Sequence, residues 1–221
     1  KLASVTLVGD KSGDGMAMDG AANIFVGEHD SAGNVWISKY NKFLAFVASV
    51  PFSAEVGNVT DLAWDASTLS LFVGADGGTD NRPKVIKLNF LGTVVSSVSY
   101  VNGSIRDESG ITVSPAGEVY VLFSATSGAN NRHLVKYDNA LGSQLADTDV
   151  SSLIFDDGAS LAFAGSNLYA TSTDSDTTHT KFYLRKFNSD ASYTGVSSTR
   201  TEAGGAQFGL TSIETGADGN L

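Results

Sequence analysis

Three short motifs recur together along the chain at a spacing close to 49 residues, and this repeat constrains the fold more than any other feature. The first ends Trp36-Ile-Ser-Lys39-Tyr40-Asn41, Val85-Ile-Lys87-Leu88-Asn89, Leu134-Val-Lys136-Tyr137-Asp138 and Leu184-Arg-Lys186-Phe187-Asn188, with lysines 48, 49 and 50 residues apart. The second comprises Gly15-Met-Ala17-Met, Asp61-Leu-Ala63-Trp64, Gly110-Ile-Thr112-Val, Ser160-Leu-Ala162-Phe163 and Gly209-Leu-Thr211-Ser. The third follows it closely as Asn23-Ile-Phe25-Val, Ser70-Leu-Phe72-Val, Glu118-Val-Tyr120-Val and Asn167-Leu-Tyr169-Ala.

Each motif is short, rich in β-branched and aromatic residues, and bounded by Gly, Asn, Asp or Ser, which are strand and turn signals. No window sustains a helical apolar period over three turns, so the chain is expected to be all-β. Within the first unit the order is a strand a around Ala17, a tight turn, a strand b around Phe25, a loop, a strand c ending at Lys39, and a strand d over residues 44–51. Four antiparallel strands per unit of this length describe one blade of a β-propeller. The expected organisation is a single domain over residues 1–221. Its blades are 9–57, 58–106, 107–156 and 157–205, followed by a partial fifth at 206–221, with 1–8 as a strand d. Small residues on strand a suit crowding near the axis, and aromatics on strand b suit the wedge between blades.

The segment Gly15-Met-Ala-Met-Asp19-Gly-Ala-Ala-Asn23-Ile-Phe-Val26 resembles the G-x-A-x-D-x-x-G-N-x-Y-V signature of NHL-type and bacterial β-propeller repeats. The resemblance covers four units well and a fifth in part. It implies the fold, while its functions range over binding scaffolds, surface-layer or adhesive modules and occasional enzymes.

Composition narrows those classes. The formal net charge is −10, the wrong sign for tracking a phosphate backbone, so nucleic acid and anionic lipid are poor partners. Absence of cysteine removes disulfides, thiolate metal sites and cysteine nucleophiles together. The longest nearly unbroken apolar stretch, Phe43 to Phe52, is about half of what a spanning helix requires, so no membrane insertion is expected. Low charge with abundant Gly, Ser, Thr and Asn leans towards a secreted or cell-surface protein.

Turn lengths distinguish the two ends of each blade. The a–b turns and most c–d turns are short, whereas the b–c and d–a loops are long and polar and emerge together; longer loops on a rigid scaffold favour binding. Just before strand a, around the mouth of the axial channel, lie Asp14, Asp61, Asp107 with Glu108, Asp157 and, in the fifth unit, Gln207; the acids would concentrate negative potential for a cation or basic ligand, or stand as solvated turn residues. In two b–c loops Asn81-Arg82 and Asn131-Arg132 recur at matching places. These arginines would clamp a carboxylate or hydroxyl-rich ligand, or neutralise loop acids. His29, His133 and His179 are also expected in b–c loops, without ligand spacing.

One run has calcium-loop character. Asp10-Lys-Ser12-Gly-Asp14-Gly15 sets oxygens at positions one, three and five and glycine at six, but Ala21 replaces the closing glutamate of an EF-hand. Its context resembles the shorter calcium loops of integrin-type propellers, in which a later aspartate, here Asp19, closes the site. A Gly-Asp-Gly turn without Ca²⁺ is the alternative.

No catalytic motif is present: no G-x-S-x-G elbow, H-E-x-x-H or phosphate loop occurs. The repeated lysines read as scaffold, and Trp36 and Trp64 as core between blades. Asn58 and Asn102 head glycosylation sequons. The expected function is therefore a non-catalytic extracellular or cell-surface module binding glycan, peptide or protein, or assembling a surface structure. The alternative is a calcium-dependent hydrolase or lyase resembling gluconolactonases, with Glu108, Asn58 and Asp157 at the channel mouth. Five full units of this length would need roughly 245 residues, so the chain is expected to be part of a longer propeller of six to eight blades.

Overall fold

The computed structural model describes residues 11–51, 56–77, 82–102, 105–125, 131–154, 159–175, 179–203 and 213. Among them sixteen strands form four antiparallel sheets. The first sheet contains β1 (Lys11–Met18), β2 (Ile24–Asp30), β3 (Val35–Tyr40) and β4 (Phe46–Pro51) in that spatial order. The second contains β5 (Val56–Asp65), β6 (Ser70–Gly77), β7 (Lys84–Asn89) and β8 (Val94–Ser99). The third contains β9 (Ile105–Val113), β10 (Val119–Ala125), β11 (Arg132–Tyr137) and β12 (Gln144–Asp149). The fourth contains β13 (Leu161–Ala164), β14 (Asn167–Ser175), β15 (His179–Phe187) and β16 (Tyr193–Ala203). No described residue is helical.

The chain forms two compact units, one of residues 1–102 with 106–108 and the other of 103–105 with 109–221, so the boundary passes through β9. In the first unit β5 lies against β1, β2 and β3. Phe25, Ile37, Leu62, Leu71, Val73 and Ile86 share its core. The Phe25 and Trp64 rings stack at 5.4 Å and 11° across the two sheets. In the second unit β10 meets β13, and Tyr120 meets Phe163 edge-on at 5.1 Å. Both contacts join a strand-b aromatic to the strand-a aromatic of the following sheet, as the wedge position requires.

In the second and third sheets burial is deepest in the inner strands and falls off at the outermost one. Strand β10 is buried at every position, because it is covered on both faces, whereas the outermost strand β12 alternates exposed and half-buried residues. β8 has the same largely open character.

Hairpin turns follow one recipe. In six of them the first residue's amide donates to the carbonyl four residues on, and the fourth residue's amide returns to the first carbonyl, starting at Asp19, Asp30, Asn41, Asn89, Ser114 and Asn188. The first side chain then captures the free amides. Asp19 Oδ1, for instance, accepts from the Ala21 and Asn23 amides at 2.9 and 2.8 Å. This is why Asp, Asn and Ser occupy the position. The fourth residue adopts a left-handed conformation, filled by Gly92 (φ 82°) but also by Ala22 (φ 60°) and Leu44 (φ 62°). The first b–c connection is one of these tight turns, at Asp30 to Asn34, rather than the long loop expected there.

The strand registers explain the repeated lysine. Lys39, Lys87, Lys136 and Lys186 stand directly across from Phe25, Phe72, Tyr120 and Tyr169. In the first three pairs the ammonium lies over the ring, at 5.0, 5.3 and 5.5 Å from its centroid. The aliphatic stem covers apolar surface while the charge meets the ring face.

Candidate functional site

Strand a of the first unit is positioned by a close approach. A Cβ on Gly15 would stand 2.7 Å from the Cα of Asp61, so β1 and β5 run almost in backbone contact at this point. Asp14 and Asp61 therefore occupy neighbouring positions on adjacent strands. Asp61 is half-buried, and its Oδ1 accepts the Leu62 amide at 2.8 Å. Between Gly13 and Met16 the β1–β2 register shifts, and within this bulge the Asp14 carboxylate bonds His29 Nδ1. Bonding Nδ1 to a carboxylate fixes the ring and turns Nε2 away from Asp14, the arrangement by which a carboxylate orients a histidine.

His29 thus lies in β2 and His133 in β11, and His179 begins β15, whereas all three were expected in loops. The strands run longer than their apolar motifs, since cross-strand polar pairs extend the ladder beyond the last apolar residue. His133 repeats the pattern: its Nδ1 lies 2.5 Å from Asp147 Oδ1, from β11 to β12.

The remaining expected site residues are placed as follows. Asp107 is half-buried in β9. Glu108 lies in the same strand, with its side chain outside the described residues, as are Asp157 and Asp10 entirely. Arg82 is exposed just before β7. Arg132, by contrast, is buried at the start of β11, where its amide donates to Ser151 Oγ at 2.9 Å.

The run proposed for calcium is extended from Lys11 onwards as β1. Ser12 contributes its backbone to that strand, its side chain lying outside the described residues. Asp19 sits beyond the far end of β1, in the β1–β2 turn. Burial works to raise the Asp19 carboxyl. Hydrogen bonds from the Asn23 side chain, from the Asn23 and Ala21 amides, and the Lys39 charge outweigh it and hold the group below its ordinary value. Lys39 Nζ stands 3.7 Å away. Among the described residues no group of three or more His, Asp or Glu side chains is arranged to hold a metal ion.

Two buried polar groupings escaped sequence reasoning. Glu28 is 1% exposed, with its carboxylate accepting from Ser38 Oγ at 2.7 Å and Tyr40 Oη at 3.0 Å. Burial, followed by the neighbouring Glu28 bond and charge, raises the Tyr40 phenol. In the fourth sheet the buried Arg185 donates from Nη1 to Ser172 Oγ at 2.9 Å and lies over the Tyr183 ring. Burial lowers its guanidinium. The partners lie ten to thirteen residues apart, on separate strands, so only the register brings them together.

Four antiparallel sheets of four strands, each wedged by ring contacts within its unit, define a β-propeller, and solved structures share the fold. The chain is similar to a chain of a nidogen/laminin complex (14% identity, TM-score 0.54, 83% of this chain and 67% of that one). It is similar to an exo-β-1,3-galactanase from Phanerochaete chrysosporium in complex with β-1,3-galactotriose (13%, TM-score 0.55, 80% and 46%). A third likeness is to a subtype N10 neuraminidase-like protein of A/little yellow-shouldered bat/Guatemala (14%, TM-score 0.57, 85% and 56%). At such identities the likeness is one of fold. The chain spans about half the length of the galactanase and neuraminidase-like chains. No family model matches it, and neither does any curated protein. No described helix is long and apolar enough to cross a membrane.

Proposed function

We propose that the chain is a non-catalytic β-propeller module, extracellular or at the cell surface, that binds a protein, peptide or glycan through its b–c and d–a loops. The observation that carries this reading is how the described carboxylates and histidines are used. Asp14 orients His29, Asp147 pairs with His133, Glu28 receives the Ser38 and Tyr40 hydroxyls, and Asp65 caps its own turn through Ser67 and Thr68. Each acid holds one strand or turn to the next, which suits a rigid platform that displays loops. The likeness to a chain of a nidogen/laminin complex agrees with a binding role. Arg82, exposed beside β7, is a ligand contact in this reading, and Asp61, Asp107, Glu108, Asp157 and Arg132 complete the candidate set.

Calcium at Asp10, Ser12, Asp14 and Asp19 is a separable part of the proposal. Binding one ion through both Asp14 and Asp19 requires the extended β1 between them to rearrange, since a strand advances about 3.3 Å per residue. Metal analysis of the native protein, with melting measured before and after chelation, decides it. Bound calcium and a chelation-sensitive Tm support the ion; unchanged melting and no metal remove it. A glycan and peptide array with wild type and Arg82→Ala then tests the binding role. Signal that falls with Arg82→Ala, without turnover of the bound ligand, supports the module. Metal-dependent turnover of a glycan overturns it in favour of a hydrolase or lyase.

A further inference from the structure

The two sheets of the first unit carry an unusual outer half. Residues 35–51 and 82–102, which make β3, β4, β7, β8 and their turns, contain Lys39, Lys42, Arg82, Lys84 and Lys87 and no acidic residue. The rest of the chain is left with 9 of the 14 basic residues and all 24 acidic ones. Along this outer half Phe46, Val47, Phe90, Leu91, Val94 and Val95 are exposed. The two sheets come close here at Gly92, in the β7–β8 turn, where a Cβ would stand 2.5 Å from Val50 Cγ2 of β4.

Strand β8 is the outermost of its sheet and reads Val-Val-Ser-Ser-Val-Ser, without charge or proline. Natural sheets blunt such edges with charges, proline or bulges, since an open edge pairs with another strand. A register shift does fall at the start of β8, but Ser96 to Ser99 continue in regular pairing with Lys87 to Lys84. The Tyr100 amide donates to the Pro83 carbonyl, so by alternation the backbone groups of Ser97 and Ser99 point away from β7. Lys84 stands directly across from Ser99.

A complementary edge exists on the same chain. Strand β12, outermost in its sheet, reads Gln-Leu-Ala-Asp-Thr-Asp, with Leu145 and Asp149 exposed and Asp138 in the turn before it. The Val150 amide donates to the Arg132 carbonyl, so Asp147 and Asp149 present their backbone groups outward in the same phase as Ser97 and Ser99. Val95, 58% exposed, and Leu145, 50% exposed, occupy the same bulged position in their respective strands.

We propose that β8 of one molecule docks antiparallel against β12 of a second copy of this chain. The acid-free, valine-lined edge flanked by Arg82 and Lys84 then meets the acidic edge carrying Asp138, Asp147 and Asp149. Backbone hydrogen bonds supply the pairing and opposite charge the orientation; with Ser97 and Ser99 across from Asp149 and Asp147, Leu145 meets the exposed Val101 at one end and Val95 lies at the other. A net charge of −10 repels copies in other orientations, so this approach is the one that charge favours. Because two different edges meet, the contact is heterologous and leaves β12 of one partner and β8 of the other unused, allowing further copies to add. The proposal shares Arg82 with the loop-face reading but does not rest on any loop ligand, and its test uses Val95 and Leu145, which that reading does not.

Sedimentation velocity of the intact chain against concentration, at low and high salt, tests it. Wild type is expected to self-associate as concentration rises, less so at high salt. Val95→Glu sets an acid on the β8 edge against the acidic β12 edge, and Leu145→Lys a cation on the β12 edge against the basic β8 edge; each is expected to weaken self-association about tenfold or more. Circular dichroism melting confirms that both variants fold. Mixing the two restores a one-to-one complex and nothing larger, because each variant retains the edge the other has lost. Wild type that stays monomeric throughout, a Val95→Glu protein that associates like wild type, or a mixture that forms no complex overturns the proposal.

Discussion

Gly15 and Asp61 hold the same place in successive repeats, and they touch: a Cβ on Gly15 would stand 2.7 Å from the Asp61 Cα. Gly110 meets its own following repeat similarly, at 3.1 Å from the Ala159 carbonyl oxygen and 3.3 Å from the Ser160 Cα. The position reads Gly15, Asp61, Gly110, Ser160, Gly209, so in each unit a glycine accepts the side-chain-bearing residue of the next sheet. Gly15→Ala forces backbone against backbone and is expected to cost about 2–3 kcal/mol, and Gly110→Ala about 1 kcal/mol. Urea unfolding of the two variants checks the order, and equal losses would contradict the geometry.

Ala22 and Leu141 share a left-handed backbone, at φ 60° and 59°, yet glycine should affect them oppositely. Ala22→Gly relieves an unfavourable conformation at an exposed-to-half-buried turn and is expected to stabilise by about 0.5–1 kcal/mol. Leu141 is buried, so Leu141→Gly loses its packing and is expected to destabilise by about 2 kcal/mol despite the same relief. Thermal melting distinguishes the signs.

Tyr120 Oη and Lys136 Nζ both donate to the Ser189 carbonyl of the next sheet's turn, at 2.5 and 2.9 Å, and Lys136 also pairs with Glu118 at 2.7 Å. Tyr120→Phe and Lys136→Met are each expected to cost about 1–2 kcal/mol. Because the two donors share one acceptor, the double variant should lose less than the sum. Strict additivity in a double-mutant cycle would argue against a shared clamp.

Acid stability should depend on Asp19, Asp149 and Asp190. Hydrogen bonds from the Ser151 and Ser192 hydroxyls and amides hold the latter two below their ordinary value, as the Asn23, Ala21 and Lys39 contacts do for Asp19. Folding favours the ionised form of such a group. Its contribution is complete above the unfolded value near 3.8 and disappears as pH falls through the lower folded value. The Tm is therefore expected to fall steeply below about pH 4. Asp19→Asn should shallow that fall while lowering Tm at neutral pH; an unchanged acid slope would remove Asp19 from the set.

Periodicity alone carries the repeat, the four-stranded sheets and the a–b and most c–d turns, though not the tight Asp30–Asn34 turn or how far the strands extend past their apolar motifs. Those properties are local: alternation sets strands, Asp and Asn cap turns through their own amides, and a fixed period makes every unit solve the same packing problem. It also singled out the lysines and the strand-b aromatics, but as separate motifs. Only the tertiary structure set Lys39 across from Phe25 and Lys136 across from Tyr120, because register depends on how two strands are paired. Asp14 with His29, Glu28 with Ser38 and Tyr40, and Arg185 with Ser172 were illegible for the same reason. Single polar residues on different strands leave no periodic trace until hydrogen bonding aligns them. The contrast between the acid-free edge at β8 and the acidic edge at β12 was present in the sequence throughout, yet it acquired meaning only when the sheet order placed both strands outermost.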